Sequence, residues 1–248
     1  MPATADLIAF LDELLRPGDF SDYGPNGLQV PHARGEVDTV ATGVSASEQL
    51  HERAAAEGAQ LVLVHHGLWW RGMAQHIEPP LYRRLKPLFD HDLALAAYHL
   101  PLDAHPEVGN NALLAEGLGL TGVRPFEGLG VSGSFADPIS ADELTERVRS
   151  LTDREPLHLR FGPERIGTIA IVSGGAADHV TAAAAQGFDA FLTGEPAERV
   201  YTFAREQRIH FVAAGHYATE TFGVRRLGDV LAERFGVRHV FLDDPNPI

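Results

Sequence analysis

The strongest constraint on this chain is an internal repeat. Two pairs of segments resemble each other across the sequence: VSASEQLHERAAAEGAQLVLVHHG (44–67) with VSGGAADHVTAAAAQGFDAFLTGE (172–195), and LALAAYHLPLD (93–103) with IHFVAAGHYATE (209–220). In the second pair one constant offset places His99 opposite His216 and Asp103 opposite Glu220, and it continues into the next predicted helix. The alternative explanation of the resemblance is that all strand–helix–strand units look somewhat alike. The constant offset favours an internal duplication.

Apolar runs of strand length alternate with stretches of helical periodicity, which is typical of α/β proteins. The predicted strands are 37–44, 60–64, 93–98, 166–172, 188–193, 209–214 and 238–242. The predicted helices are 47–57, 80–90, 110–118, 140–151, 176–186, 197–207 and 223–235, after an amphipathic N-terminal helix. With the repeat, this order predicts two similar, interlocked α/β domains. The Gly- and Pro-rich segment 121–139 lies between the repeats and predicts a division into 1–124 and 125–248.

Composition limits the function classes that are open to the chain. The formal net charge of −14 disfavours nucleic-acid binding, because such proteins neutralise phosphates with basic residues. No apolar run approaches the roughly 20 residues of a membrane-spanning helix, and the N-terminus lacks a signal-peptide pattern. We therefore expect no membrane partner and a cytoplasmic location. The sequence contains no cysteine, so a metal site must use histidine and carboxylate ligands, which suit Zn, Mn, Fe, Ni or Co.

Three short elements place histidine and carboxylate residues where predicted strands end. They are His65-His66 after LVLV, His99 with Asp103 in YHLPLD, and His216 with Glu220 in GHYATE. In open α/β sheets, ligands bind outside the carboxyl ends of the strands, and imidazole with carboxylate suits a divalent cation. These ligands outnumber those that one tetrahedral ion takes from a protein, so the count predicts two ions. Each element alone is common by chance, and structural histidines without metal are the alternative.

Two further loops contain candidate site residues. Glu195 in TGE follows a predicted strand and, in the repeat, stands opposite His66. Glu195 is a candidate for one of three roles: holding a metal ligand in place, contacting the substrate, or acting as a general base. The alternative is a carboxylate that is favoured at a helix N-terminus by the helix dipole. In YGPNGLQV, Asn26 and Gln29 are candidates for lining a site, or for satisfying only local backbone groups. We expect Gly67 to let the backbone turn so that the histidine pair before it faces one partner.

The motifs GLQV, LVLVHHGLWW, AAYHLPLD, GNNALLAEGLGL, FLTGE and AAGHYATETFGVRRLGDVLAE occur in this order. Together they resemble the YbgI-like family, also described as GTP cyclohydrolase 1 type 2 homologues. The resemblance covers nearly the whole chain, with looser matches at GLGVSGSF and DYGPNGLQV. It implies two α/β domains, a dinuclear metal site in the cleft between them and a ring-shaped homohexamer. The metal ligands that it implies are His65, His66, Asp103, His216 and Glu220.

These features predict a protein that binds two divalent metal ions and acts as a metal-dependent hydrolase. The expected partner is a small-molecule substrate, with a nucleotide or another cyclic C–N compound as candidate classes. His99, which the repeat places opposite His216, is a candidate weak ligand or proton shuttle, and Glu195 is the second candidate acid–base residue. The alternative is a non-enzymatic metal-delivery or regulatory protein with the same ligands. An exchangeable water and an open pocket would favour catalysis over storage.

Overall fold

A computed structural model describes all 248 residues, Met1–Ile248. The chain folds into two compact units, of which the first contains Met1–Leu102 and Gly223–Asp244, and the second contains Asp103–Phe222 and Pro245–Ile248. This division differs from the predicted boundary between residues 124 and 125. The reason is that the chain returns to the first unit near its C-terminus, so the units are not continuous in sequence.

The strands are short and are spread over the whole chain. They are β1 (Gly27–Val30), β2 (Thr39–Ser45), β3 (Leu61–His66), β4 (Ala94–Ala97), β5 (Thr121–Phe126), β6 (Gly130–Ile139), β7 (Leu157–Arg160), β8 (Ile166–Ile171), β9 (Ala190–Thr193), β10 (His210–Ala213) and β11 (Arg238–Phe241). Every strand predicted from the sequence is present within a few residues of its expected bounds. The prediction missed β1, β5, β6 and β7 as strands.

The helices connect these strands. They are α1 (Thr4–Leu15), α2 (Glu48–Ala56), α3 (Pro79–Asp90), α4 (Leu100–Ala104), α5 (Asn110–Gly117), α6 (Ala141–Thr152), α7 (Val180–Ala185), α8 (Glu198–Gln207), α9 (His216–Thr219) and α10 (Thr221–Phe235). Two 3-10 turns, Pro17–Asp19 and Ala177–His179, accompany them. None of the helices has both the length and the apolar character needed to span a membrane.

The first unit contains a five-stranded sheet in the order β1-β4-β3-β2-β11. The strands β4, β3, β2 and β11 run parallel, and β1 pairs antiparallel with β4 at one edge. Parallel sheets are covered on both faces, so their strands are apolar throughout rather than alternating. In β3, accordingly, Leu61, Val62, Leu63 and Val64 are all buried.

The second unit contains a six-stranded sheet in the order β5-β6-β8-β9-β10-β7. Its strands β8, β9 and β10 are parallel, and β7 pairs antiparallel with β10 at one edge. Both sheets thus contain three consecutive parallel strands, with an antiparallel edge strand beside the third. This shared topology supports the internal duplication and confirms the predicted α/β class.

Side chains from alternate residues of the second sheet enter two separate cores. Ile169 and Ile171 on β8 pack in a cluster with residues of α5 and α6. Their neighbours Ala170 and Val172 pack in another cluster, with residues of α7 and α8. Because successive strand residues point to opposite faces, helices cover the sheet on both sides.

The segment 121–139, whose Gly and Pro residues predicted a domain boundary, is a β-hairpin. Its strands β5 and β6 pair antiparallel, and β6 also pairs with β8. Glu127 and Gly128 form its turn with positive φ angles of 49° and 73°. Pro125 lies in β5, an edge strand where proline is tolerated, and Pro138 lies where the β6–β8 register shifts. Gly and Pro therefore mark a turn, an edge strand and a register irregularity within the sheet of the second unit.

Gly228 allows α10 to lie close to β11. A Cβ atom at this position would be 2.1 Å from His239 Nε2. The His239 ring is held by Thr42 Oγ1 at 2.8 Å and by Asp229 Oδ1 at 2.9 Å, so it has little freedom to move away.

Replacing Gly228 by alanine should lower the free energy of unfolding by about 1–3 kcal/mol because of overpacking, although alanine favours a helix by about 1 kcal/mol. Urea unfolding of Gly228→Ala and wild type measures the difference. Gly18→Ala is the control, because Gly18 has no neighbouring atom within 4 Å, and it should stay within about 0.5 kcal/mol of wild type. Equal stability of the two variants would contradict the close-approach argument.

His51 on α2 is fully buried with one nitrogen unsatisfied. Its Nδ1–H donates to the Arg84 carbonyl at 2.8 Å, while its Nε2 is buried and has no hydrogen-bond partner. Burial lowers the pKa of His51 to about 4 from its ordinary value of 6.5. The folded protein therefore holds this ring neutral, whereas the unfolded chain takes up a proton as the pH falls below 6.5.

The contribution of His51 to stability is complete above pH 6.5 and is lost as the pH falls toward 4. Between pH 7 and pH 5 the free energy of unfolding should decrease by on the order of 2 kcal/mol more in wild type than in His51→Gln. Urea unfolding at both pH values tests this. As a control, His76→Gln changes a side chain that is 75% exposed, and it should keep the wild-type pH dependence. An unchanged pH dependence in His51→Gln would refute the assignment.

Candidate metal centre

His65 and His66 are the last two residues of β3. The buried His65 ring donates its Nδ1–H to the Tyr98 carbonyl at 2.9 Å. Since a carbonyl only accepts, the neutral ring carries its proton on Nδ1 and its lone pair on Nε2, the tautomer that a metal ligand needs. The His66 ring is anchored through Nδ1, which lies 3.0 Å from Ser45 Oγ; because a hydroxyl can donate or accept, this contact orients the ring without selecting its tautomer.

Gly67 has a different role from the one that we predicted. Its φ angle is not positive, so glycine is not required here for a special turn. A Cβ atom at Gly67 would instead lie 2.3 Å from Gln29 Nε2. Gln29 Oε1 accepts a hydrogen bond from the Leu68 N–H at 2.8 Å and so fastens the chain that follows the histidine pair.

His99 follows β4 and completes a cluster of three imidazoles in the first unit. Its ring centroid lies 4.9 Å from that of His65 and 5.6 Å from that of His66. One ring nitrogen from each residue lies within 4.8 Å of the others, a spacing suited to a shared metal ion. We call His65, His66 and His99 the histidine set.

Asp22, which the sequence analysis did not single out, holds His99 in place. Its carboxylate accepts hydrogen bonds from His99 Nδ1 at 2.7 Å, from the Leu100 N–H at 3.0 Å and from Asn26 Nδ2 at 2.9 Å. Burial would raise the pKa of Asp22, but the hydrogen bonds, led by that from His99, lower it to about 2. Asn26 Oδ1 in turn accepts the His99 N–H at 2.7 Å. The sequence feature that could have identified Asp22 is the DYGPN turn, in which Asp22 stands four residues before Asn26.

The second unit contains a group of two carboxylates and one imidazole. Carboxylate oxygens of Asp103 and Glu220 lie within 4.8 Å of each other, and His216 Nε2 lies 3.1 Å from Glu220 Oε2. Both carboxylate residues are buried, with 4% and 2% of their surface exposed. Buried charges require opposite charge or hydrogen bonds, so this arrangement favours a cation. We call Asp103, His216 and Glu220 the carboxylate set.

Three polar residues that the sequence analysis missed position Asp103. Asn110 Nδ2 and Ser173 Oγ donate to Asp103 Oδ1 at 2.8 Å and 3.0 Å. Asn111 Nδ2 donates to the Asp103 backbone carbonyl at 3.1 Å, and its Oδ1 accepts the Ser173 N–H at 2.7 Å. The GNN triplet could have identified Asn110 and Asn111 from the sequence. Ser173, which binds Asp103 and Asn111, is far away in sequence and has no such local feature.

Glu195 contacts the opposite side of the His216 ring. One of its carboxylate oxygens lies against His216 Nδ1, while Nε2 faces Glu220. Burial alone would lower the pKa of His216, but the two carboxylates raise it to about 9, with Glu220 contributing more than Glu195. The ring thus lies in a strongly negative environment, and Glu195 fixes its orientation.

Glycines allow the backbone to approach this group closely. Gly174 has a φ angle of 65°, and a Cβ atom there would lie 2.2 Å from Glu220 Oε1. At Gly194 a Cβ atom would lie 2.7 Å from the His216 Cα. The buried Thr219 ties the loops together, because its Oγ1 accepts the Gly174 N–H at 3.1 Å and donates to the Gly215 carbonyl at 2.9 Å.

Matches to known proteins show the family of the chain. The model of the family Duf34/NIF3 (NGG1p interacting factor 3) matches residues 2–247. The chain belongs to this family. A relative from Pseudomonas aeruginosa, called GTP cyclohydrolase 1 type 2 homolog, is 44% identical over 250 residues, covering 99% of this chain and 98% of the relative.

Two solved structures match this chain over its whole length. The protein ybgI, described as having unknown function, is 41% identical, covers 100% of both chains and has a TM-score of 0.96. TTHA1606 from Thermus thermophilus is 37% identical, with the same coverage and a TM-score of 0.92. The predicted resemblance to the YbgI-like family is confirmed.

In this Duf34/NIF3 protein, Gly174→Ala should weaken the binding of divalent cations at least about tenfold, the equivalent of 1.4 kcal/mol, because the added methyl group displaces the Glu220 carboxylate. Calorimetric titration of the metal-stripped protein with Zn²⁺ or Mn²⁺ measures this. Gly187→Ala is the matched control: its φ angle of 78° is also positive, but it has no neighbour within 4 Å. If both variants bind the metal equally, Gly174 is not needed for the carboxylate set.

Proposed function

We propose that two residues of the histidine set and all three of the carboxylate set provide the ligands for two divalent metal ions, with His99 beside them as an acid–base residue. His65, His66, Asp103, His216 and Glu220 would be the ligands. The observation that carries this proposal is the anchoring of His65 Nδ1 by the Tyr98 carbonyl at 2.9 Å, which leaves Nε2 as the donor atom. The nitrogen and oxygen donors suit Zn, Mn, Fe, Ni or Co. The clustering of the rings of His65, His66 and His99 within one unit supports the same conclusion.

We propose further that the protein is a hydrolase. Divalent ions bound here would activate water and stabilise negative charge that develops on the substrate. Because His99 donates its Nδ1–H to Asp22, its Nε2 is the atom that would accept a proton from the attacking water and return it to the leaving group. Asp22 keeps the ring in this tautomer and stabilises it when charged. Glu195 would act as a positioning residue for His216.

We propose the substrate class from the printed name of the relatives. The name GTP cyclohydrolase 1 type 2 homolog, carried by the relatives, supports a nucleotide or another compound with a hydrolysable cyclic C–N bond. The homohexamer implied by the resemblance and the cytoplasmic location expected from the sequence pattern stay predictions. Light scattering on the purified protein would test the assembly.

Metal analysis and kinetics test the proposal together. Protein purified without a histidine tag should contain close to two divalent ions per chain, and His66→Ala should lose metal. His99→Gln should keep its metal but lose about 10²- to 10⁴-fold in kcat, the range typical of general acid–base residues. Asp22→Asn should show a smaller loss in kcat. The substrates to be tested are a panel of nucleotides and cyclic amides.

Each negative outcome has its own meaning. Wild-type protein that contains no metal and takes up neither Zn²⁺ nor Mn²⁺ would refute the metal proposal. Metal that is bound but exchanges slowly, without turnover of any substrate, would refute the hydrolase and favour metal delivery or regulation. Full activity of His99→Gln would remove His99 from the reaction.

A further inference from the structure

A cavity of about 360 Å³ lies in the second unit and adjoins the carboxylate set. Arg154, Gly194, Glu195 and Gly215 contribute to its wall. Two of these residues connect it directly to His216: Glu195 contacts the His216 ring, and Gly215 precedes His216 in the chain. A molecule in this cavity would therefore lie beside a proposed metal ligand.

The Arg154 side chain is held against the backbone of the cavity wall. A Cβ atom at Gly215 would lie 2.4 Å from Arg154 Nη1 and 3.0 Å from its Cζ. Gly215 also has a φ angle of 99°, which side chains rarely adopt, so its backbone conformation requires glycine. Arg154 is half-buried as a residue, and its guanidinium lies beside the Gly215 backbone.

Arg154 is the one cation in the cavity wall, and three carboxylates lie near it. Glu155 pairs with Arg149 at 3.7 Å, and Glu195 is engaged by His216. The third is the terminal carboxylate of Ile248, which accepts the Tyr217 N–H at 3.0 Å. Arg154 itself makes no ion pair or hydrogen bond with the protein. An arginine has five N–H donors in a planar fork that matches carboxylate and phosphate oxygens. A fork with no protein acceptor is thus available for an anionic ligand.

We propose that Arg154 binds an anionic group of the substrate, a phosphate or a carboxylate, in this cavity. The proposal rests on the proposed function in one respect, since the ligand is a substrate only if the neighbouring metal site is catalytic. A local cation matters in this chain because its net charge of −14 otherwise repels anions. Arg154 would orient the substrate by a two-pronged interaction that a lysine cannot reproduce.

Calorimetric titration with inorganic phosphate and, separately, with acetate tests this proposal. The proteins are wild type, Arg154→Met and Arg154→Lys, each in metal-stripped and metal-loaded form. The affinity of at least one anion should fall about tenfold or more in Arg154→Met, as expected for a lost hydrogen bond to a charged group, and less in Arg154→Lys. Arg205→Met removes the same charge from an exposed position on α8 and should bind as wild type does.

The anion whose binding is lost in Arg154→Met identifies the anionic group of the substrate. Loss of phosphate binding indicates a phosphorylated substrate, and loss of acetate binding indicates a carboxylic acid. Wild type that binds neither anion, or Arg154→Met that binds both as wild type does, would overturn the proposal. Metal content, measured on every sample, should not change in Arg154→Met. Loss of anion binding in the metal-stripped variant supports Arg154 even if the metal proposal fails. Thermal unfolding of each variant, with Arg154→Lys as the conservative substitution, separates loss of binding from loss of the fold.

Discussion

The parallel pairing of β3 with β4 is the constraint on which the histidine set depends. The ladder continues past the strand end, where the Tyr98 N–H donates to the Val64 carbonyl at 3.0 Å. This bond brings the Tyr98 carbonyl to His65 Nδ1, and it brings His99 beside the histidine pair. A backbone hydrogen bond in a buried sheet therefore selects a tautomer and a ring orientation. A side-chain anchor would be less rigid, because it loses rotamer freedom to do the same.

The second unit repeats this solution with different residue types. The ladder between β9 and β10 also continues past the strand ends, through the Ala214 N–H to the Thr193 carbonyl and the Gly215 N–H to the Gly194 carbonyl, both at 2.8 Å. Here glycines bring the backbone close to His216 and Glu220, so that two acidic side chains can remain buried. The duplication thus preserved the geometry of the strand ends while the side chains diverged, from His66 in one half to Glu195 in the other.

Residues behind the candidate ligands determine what those ligands can do. Asp22 supports His99, Asn110 and Ser173 support Asp103, and a second carboxylate supports His216. Such partners fix ring orientation and ligand basicity, and their mutation typically lowers metal affinity or activity by about 10- to 100-fold. The cavity beside Glu195 has Arg154 in its wall, in the same unit as Asp103, His216 and Glu220.

The sequence by itself determined the alternation of strands and helices, the repeat, and the residues at the strand ends where chemistry is expected. These features are local, because hydrophobic periodicity and turn residues act over a few positions of the chain. Only the tertiary structure decided that 121–139 pairs with β8, that β11 returns to the first sheet, and that Gly67 makes room for Gln29. It also decided that Asp22 supports His99 and that Ser173 supports Asp103. Each of these depends on a partner far away in sequence, and a contact of that kind leaves no periodic signal in either segment.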